Sequence, residues 1–338
     1  MRQMIVTGIR GSAIGLLAVG LVSLYIAWRP MAIFNPEYPM WRCQEQFIHT
    51  THNPAFTTLV MGDSAVKAAL LPRGLPGRVH SLTLGGGTAV ELYYSLRTYT
   101  RHNPYPHAVV LSLSPFHLMF PASYFDRTVK FNYLDFSQLM EVYDTMEQAQ
   151  VDPASLRFPV SRAGYVMKVM EYRLNGFWRF RGELFNHLQE PRLDANRRIA
   201  ELTQRNHGHN YFGMFPHAPD PTIECDYAHF VPNRLLTIYL VKLLDDLKAH
   251  NVRVAVVPAP FNQASQARMH QDFTNEYEQF MQLLAGKYPA FRVTTQQPYY
   301  PDHCFGDPRH MNPRGAARFT AEVAETYGDI LDDSAGGR

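Results

Sequence analysis

Apolar and polar positions alternate along the chain in a repeating rhythm of strand, turn and helix. Residues 56–61 form a β-branched apolar run, and residues 78–84, 107–113, 252–257 and 291–294 form four more. Amphipathic stretches at 64–70, 88–99, 233–250, 266–287 and 312–327 read as helices between and after them. Strands that read as continuous apolar runs are buried on both faces, which antiparallel sheets rarely are. Alternation with helices then predicts a mainly parallel sheet in a three-layer α/β/α arrangement.

Two regions break the rhythm. Residues 119–227 are aromatic and carry helical patches at 136–149, 165–188 and 193–205. They read as an insert over one end of the sheet, where inserts shape substrate sites or simply pad the scaffold. Its Trp178, Phe180, Tyr211 and Phe212 could stack on sugar rings, although core packing is the readier use of any one of them. Residues 30–55 are rich in proline and polar side chains and read as a linker. The expected division is an anchor at 1–29, a linker at 30–55, a catalytic domain at 56–330 containing the insert, and a disordered tail at 331–338.

Residues 11–28 (GSAIGLLAVGLVSLYIAW) carry no charge. As a helix they span about 27 Å against a bilayer core of roughly 30 Å. Arg2 and Arg10 precede the run and Arg29 follows it. Basic residues ahead of the span favour a cytoplasmic N-terminus. The expectation is a single-pass signal anchor in the cytoplasmic membrane, with the rest facing the periplasm or exterior. A cleaved signal peptide is the rival, but no small-x-small site follows the run before Arg29.

Composition narrows the partners. Lys plus Arg is 32 and Asp plus Glu is 30, a formal charge of +2, which offers no basic patch for nucleic acid. Three cysteines, Cys43, Cys225 and Cys304, are too few for a disulfide scaffold or a zinc site, although a Cys225–Cys304 bridge is open in an oxidising compartment. His207-Gly208-His209 has no carboxylate or cysteine at metal-ligand spacing, so no metal and no cofactor are expected.

Three short segments carry chemistry, and each falls at a carboxyl end of a strand, where open α/β sheets place their sites. Met61-Gly62-Asp63-Ser64 follows the first strand and presents a serine at a sharp strand-to-helix turn. Gly85-Gly86-Gly87 follows the second and lets backbone N–H groups approach a reacting atom. It is no dinucleotide fingerprint, because Val90 stands where the third glycine belongs. Before the last helix, Asp307-Pro308-Arg309-His310 places a carboxylate three residues ahead of an imidazole that could deprotonate a serine. Read singly, Gly-Asp-Ser is a common turn, Asp307 could cap the last helix, and His310 could be a core histidine. Arg309 and His303 are candidates to touch substrate.

In this order the segments resemble the SGNH/GDSL hydrolase superfamily. The first block is Gly62-Asp63-Ser64, the second Thr83-Leu84-Gly85-Gly86-Gly87, and the last Asp307 to His310. Asn312-Pro313-Arg314-Gly315-Ala316, with the N-terminal anchor and the large insert, is similar to the DltD-like and alginate O-acetylation (AlgX/AlgJ-like) branch. The resemblance covers about residues 56–118 and 230–327. It implies an SGNH-like fold and a membrane-bound serine O-acyltransferase or esterase. Ser64 would be the nucleophile, His310 the base and Asp307 its orienting acid. The oxyanion would be held by Ser64 and Gly86 or Gly87. It further implies an acyl-supplying partner of the membrane-bound O-acyltransferase type and an exported polysaccharide or wall polymer as acceptor, with acetyl the favoured group. The superfamily's third block supplies an oxyanion-binding Asn. Here the segment is Leu113-Ser114-Pro115-Phe116-His117, so Ser114 is the candidate substitute. The alternatives are a non-catalytic scaffold of an export complex and a plain esterase.

Overall fold

A computed structural model describes residues 2–51, 56–174 and 192–332, with side chains of 2–12, 19 and 174 not described. The chain opens with helices α1 (Arg2–Trp28), α2 (Pro30–Ile33) and α3 (Glu37–His49). Strand β1 (Thr58–Gly62), α4 (Ser64–Ala69), β2 (Val79–Thr83), α5 (Ala89–His102), β3 (Ala108–Ser112) and α6 (Pro115–Met119) follow. The insert contributes α7 (Phe136–Gln148), α8 (Arg162–Leu174) and α9 (Leu193–Arg205). The last third runs α10 (Arg234–Ala249), β4 (Arg253–Val256), β5 (Phe261–Asn262), α11 (Gln263–Arg268), α12 (Gln271–Lys287), β6 (Arg292–Val293), β7 (Tyr299–Tyr300) and α13 (Pro313–Leu331).

The main sheet has the order β2-β1-β3-β4-β6, and every pair in it is parallel. Each strand residue points to one face or the other. Leu59, Met61, Val109, Leu111, Val254 and Val256 join the larger core under α5, α10 and α12. Val60, Ala108, Val110 and Ala255 join the smaller one under α4 and α13. Both faces are therefore covered, as the apolar runs require. From β1 the chain steps to one side, then crosses back over β1 to place β3 on the other. A crevice opens at the carboxyl ends of β1 and β3, where such sheets receive ligands.

Two expectations need correction, and a third point, left open by the sequence, is answered. Residues 30–55 are not a linker where they are described: α3 packs into the larger core, with Trp41 only 1% exposed. Tyr38, Trp41 and Ile48 fall at helical spacing. Pro36 serves as N-cap and Pro39 sits in the first turn, where a proline gives up no hydrogen bond. Trp41 meets Tyr133 and Phe131 of the insert edge-on, with centroids 5.0 and 6.0 Å away. Second, the helix expected at 266–287 is two helices, broken where Met269 and His270 turn extended. Third, Cys225 and Cys304 are free thiols, and Cys225 Sγ donates to the Ser265 carbonyl at 3.5 Å.

His207-Gly208-His209 has a structural use. Ser81 N–H of edge strand β2 donates to the His207 carbonyl at 2.8 Å, and the buried Lys67 ammonium donates to the Gly208 carbonyl at 2.8 Å. A sheet edge is thereby closed to further pairing. Burial pushes the His209 imidazole down to about 4, although Nε2 contacts the Ala68 carbonyl at 3.3 Å.

Helix α1 is continuous over 27 residues, and Leu16, Leu17, Leu21, Leu24 and Trp28 are all exposed along it. Among the described residues, no helix is long and apolar enough to cross a membrane. The expected tail and the aromatic pair Trp178 and Phe180 lie outside the described residues, apart from Leu331 and Asp332, of which Leu331 closes α13.

Candidate active site

Ser64 is the first residue of α4, directly beyond β1. Gly62 ends the strand opposite Ser112 of β3, and a Cβ on it would collide with the Ser112 carbonyl oxygen. Asp63 caps the helix: its Oδ1 accepts from Ala65 N–H at 2.9 Å and from Val66 N–H at 3.4 Å. The fold thus dictates Gly62 and Asp63, and these two deliver Ser64 to the crevice. Its own N–H donates to no group of the chain among the described residues.

The loop before α13 brings the base. Ser64 Oγ and His310 Nε2 are 2.9 Å apart, and His310 Nδ1 lies 2.6 Å from Asp307 Oδ2. A carboxylate can only accept here, so Nδ1 carries the proton and Nε2 is left to receive one from the serine. Asp307 does not cap α13. Its Oδ1 accepts from the N–H groups of Arg309 and His310, both at 2.8 Å, and Asn312 does the capping. Burial would raise the Asp307 carboxyl, but the His310 hydrogen bond and charge and the two backbone donors hold it below the ordinary carboxylate range. Asn312 Nδ2 also donates to the carbonyls of His303 and Phe305, at 2.9 and 3.2 Å, which ties the loop to its own helix. Phe212 lies against the imidazole, with ring centroids 4.3 Å apart and planes at 31°. It buttresses the base, the packing role that the sequence favoured for each of these aromatics over stacking on sugar, and Tyr211 likewise packs on His209.

The expected oxyanion donors divide sharply. Gly86 has φ +68, a conformation that only glycine adopts freely, and a Cβ there would strike Ser123 and Arg127. Its N–H donates to no described group, like that of Ser64. Gly87 and Ser114 are not available. Gly87 N–H donates to the Leu84 carbonyl at 2.9 Å and closes the turn. Ser114 N–H and hydroxyl both donate to Asp63 Oδ2, at 2.8 and 2.7 Å. Buried Asp63 needs those donors, so Ser114 faces the back of the site instead of the reacting carbonyl.

Arg309 stands at the rim but is held there. One of its terminal nitrogens donates to the buried Glu224 carboxylate at 3.0 Å, and its guanidinium lies 4.9 Å from the Phe116 ring centroid. His303 is exposed on the neighbouring turn, and its carbonyl accepts from Asn312 Nδ2. Glu224, Phe116 and His117 are site residues that sequence reasoning passed over. His117 offered one signal: it follows Ser114 at the same three-residue spacing by which His310 follows Asp307. Its Nδ1 is 2.8 Å from Asp63 Oδ2. Burial would raise the Asp63 carboxyl, but His117 and Ser114 together hold it far below the usual range.

Among the described residues, no group of three or more His, Cys, Asp or Glu side chains converges as a metal ion would need. No protein-family model and no curated protein sequence matches the chain. The Ser64–His310–Asp307 array is suited to nucleophilic catalysis at an acyl carbon.

Proposed function

We propose that the protein is a membrane-anchored, extracytoplasmic serine O-acyltransferase of SGNH type. One observation carries this reading above all: the unbroken relay from Ser64 Oγ through His310 to Asp307 Oδ2, at 2.9 and 2.6 Å. Ser64 attacks the carbonyl carbon of an acyl ester while its proton passes to His310 Nε2. The tetrahedral oxyanion takes hydrogen bonds from the N–H groups of Ser64 and Gly86. The ester C–O bond then breaks, the imidazolium protonates the leaving oxygen, and an acyl-Ser64 ester remains. An acceptor hydroxyl gives its proton to His310, attacks that ester, and leaves with the acyl group as Ser64 is reprotonated.

The uncharged run at 11–28 within α1 supports an anchor that keeps the catalytic domain outside the cell. No acyl-CoA is present there, so an acyl-carrying membrane protein of the O-acyltransferase type supplies the donor. The acceptor is a hydroxyl-bearing exported polysaccharide or wall polymer, and the group moved is acetyl. The test is product analysis with the full chain in a bilayer, an acetyl ester as donor and polysaccharide in large excess. Acetylated polymer that disappears in Ser64→Ala supports transfer. Acetate alone assigns an esterase. Acetylation in cells that survives Ser64→Ala assigns a scaffold.

A further inference from the structure

Helix α1 does not end as a free tether. On its inner face Ile26 is buried in the larger core and Val22 packs against it, and Arg29 N–H still donates to the Tyr25 carbonyl at 2.9 Å. On the opposite face Leu17, Leu21, Leu24 and Trp28 keep the helical spacing of a single stripe, and all four are exposed. Helix α2 follows at once, and α9 of the insert fastens it. Buried Asn196 Nδ2 donates to the carbonyls of Met31 and Phe34, at 2.8 and 2.9 Å. The folded domain is therefore held against the end of the apolar stripe. A cavity of about 730 Å³ opens there, between the end of α1, α3 and α9. Its charged lining is Arg29, Arg42, Arg197 and Glu45, so positive charge is in excess. Glu45 accepts from Arg42 Nη1, and Asp194 stands 3.6 Å from Arg197 in an exposed pair that solvent screens. Arg29 forms no ion pair among the described residues, and its guanidinium lies 4.5 Å from the Trp28 ring centroid.

Resting on the membrane-anchored reading above, we propose that this cavity binds the headgroup of one anionic phospholipid from the leaflet in which the apolar run of α1 ends. The phosphate meets Arg29, Arg42 and Arg197, whose planar guanidinium forks match phosphate oxygens. The acyl chains lie along Leu17, Leu21 and Leu24, and Trp28 sits at headgroup level, where tryptophan concentrates in membrane proteins. Surplus positive charge selects a net-negative headgroup over a zwitterionic one. The bound lipid fixes the height of the catalytic domain on the bilayer, because α9 carries both Arg197 and the Asn196 clasp on α2.

The test is native mass spectrometry of the full chain, released from detergent micelles that carry equimolar palmitoyl-oleoyl phosphatidylglycerol and phosphatidylcholine. One phosphatidylglycerol should stay bound, with a preference of about tenfold over phosphatidylcholine. In the combined variant Arg29→Gln, Arg42→Gln, Arg197→Gln the preference should fall to about twofold or less. Arg318→Gln, which removes an exposed arginine of α13, should keep it. A parent chain that holds both lipids equally, or a triple variant that keeps its preference, overturns the proposal. If the triple variant fails to fold, the unaltered chain is cross-linked with a phosphatidylglycerol that carries a diazirine on its headgroup. Adducts within residues 27–46, 131–132 or 193–204 support the proposal, and adducts confined to other residues overturn it. A chain that alkaline carbonate strips from vesicles overturns the anchored reading, and this inference with it. None of these readouts involves Ser64, so a loss of acyl chemistry leaves the inference standing.

Discussion

The molecule holds two Asp–His pairs, and they differ in nearly everything except their bond. In each, Nδ1 meets a carboxylate oxygen within 2.8 Å. Asp307 and His310 ride on a loop, with side chains 32% and 16% exposed. Asp63 and His117 sit at the ends of two central strands, with side chains 0% and 7% exposed. The loop pair touches the nucleophile's hydroxyl and stays near water, where an imidazole can take up and return a proton each cycle. The strand pair is locked by Ser114 and the helix cap, where a fixed charge is maintained. Burial thus decides whether the same two residue types serve as a proton carrier or as a fixed brace at the ends of the strands.

That contrast can be broken by mutation, and the largest effect belongs to the loop pair. Ser64→Ala and His310→Ala should each lower ester turnover by about 10⁴-fold or more, measured as kcat with the fold verified by circular dichroism. Asp307→Asn should lower kcat by about 10³–10⁴ through the wrong imidazole tautomer, with KM little changed. Its unfolding free energy in urea should move by no more than about 1 kcal/mol, because that carboxylate is partly solvated.

Asp63→Asn should do the reverse on stability, with a loss of about 3–5 kcal/mol in urea melts, since it removes half of the buried acceptor that Ser114, His117 and the α4 backbone share. The pH dependence follows the same sign. A carboxyl held below its ordinary value contributes fully above that value and loses its contribution as pH falls through the folded one. Both pairs therefore support the fold down to about pH 4, and Asp63→Asn should flatten the acid limb more than Asp307→Asn.

Lys67 offers a smaller, opposite case on the same short helix. Burial pulls its ammonium from 10.5 down to about 8, against the partial opposition of Glu37 and Cys43. Between those values the unfolded chain holds more protons than the folded one, so stability rises with pH across that window. The full rise is about 3 kcal/mol. Urea melts from pH 7 to 10 should show it as a difference from Lys67→Met, which should lack it.

The sheet and the triad were legible because each is written locally. Continuous apolar runs marked all five main strands to within two residues, as residues 107–113 against Ala108–Ser112 illustrate. Asp307 and His310 lie three residues apart, so one loop suffices to join them. What escaped depends on where a donor ends up in space. Nothing in Ser114 or Gly87 tells that their N–H groups are committed to Asp63 and Leu84. Tyr38, Trp41 and Ile48 kept helical spacing behind the prolines, but the partners that bury Trp41 come from Phe131 and Tyr133, some ninety residues on. The His207-Gly208-His209 segment had no role assigned from sequence; that His207 closes a sheet edge and Gly208 receives Lys67 is revealed by tertiary contact alone.

The central claim is that Ser64 forms an acyl ester with His310 as its base. Intact-mass spectrometry of the full chain after brief exposure to 4-nitrophenyl acetate tests it most directly, in parallel with Ser64→Ala and His310→Ala. The account predicts a single added acetyl group that maps to Ser64 and is absent from both variants. A well-folded parent chain that neither turns over the ester nor gains the group, or an acetyl group that persists in Ser64→Ala, would contradict it.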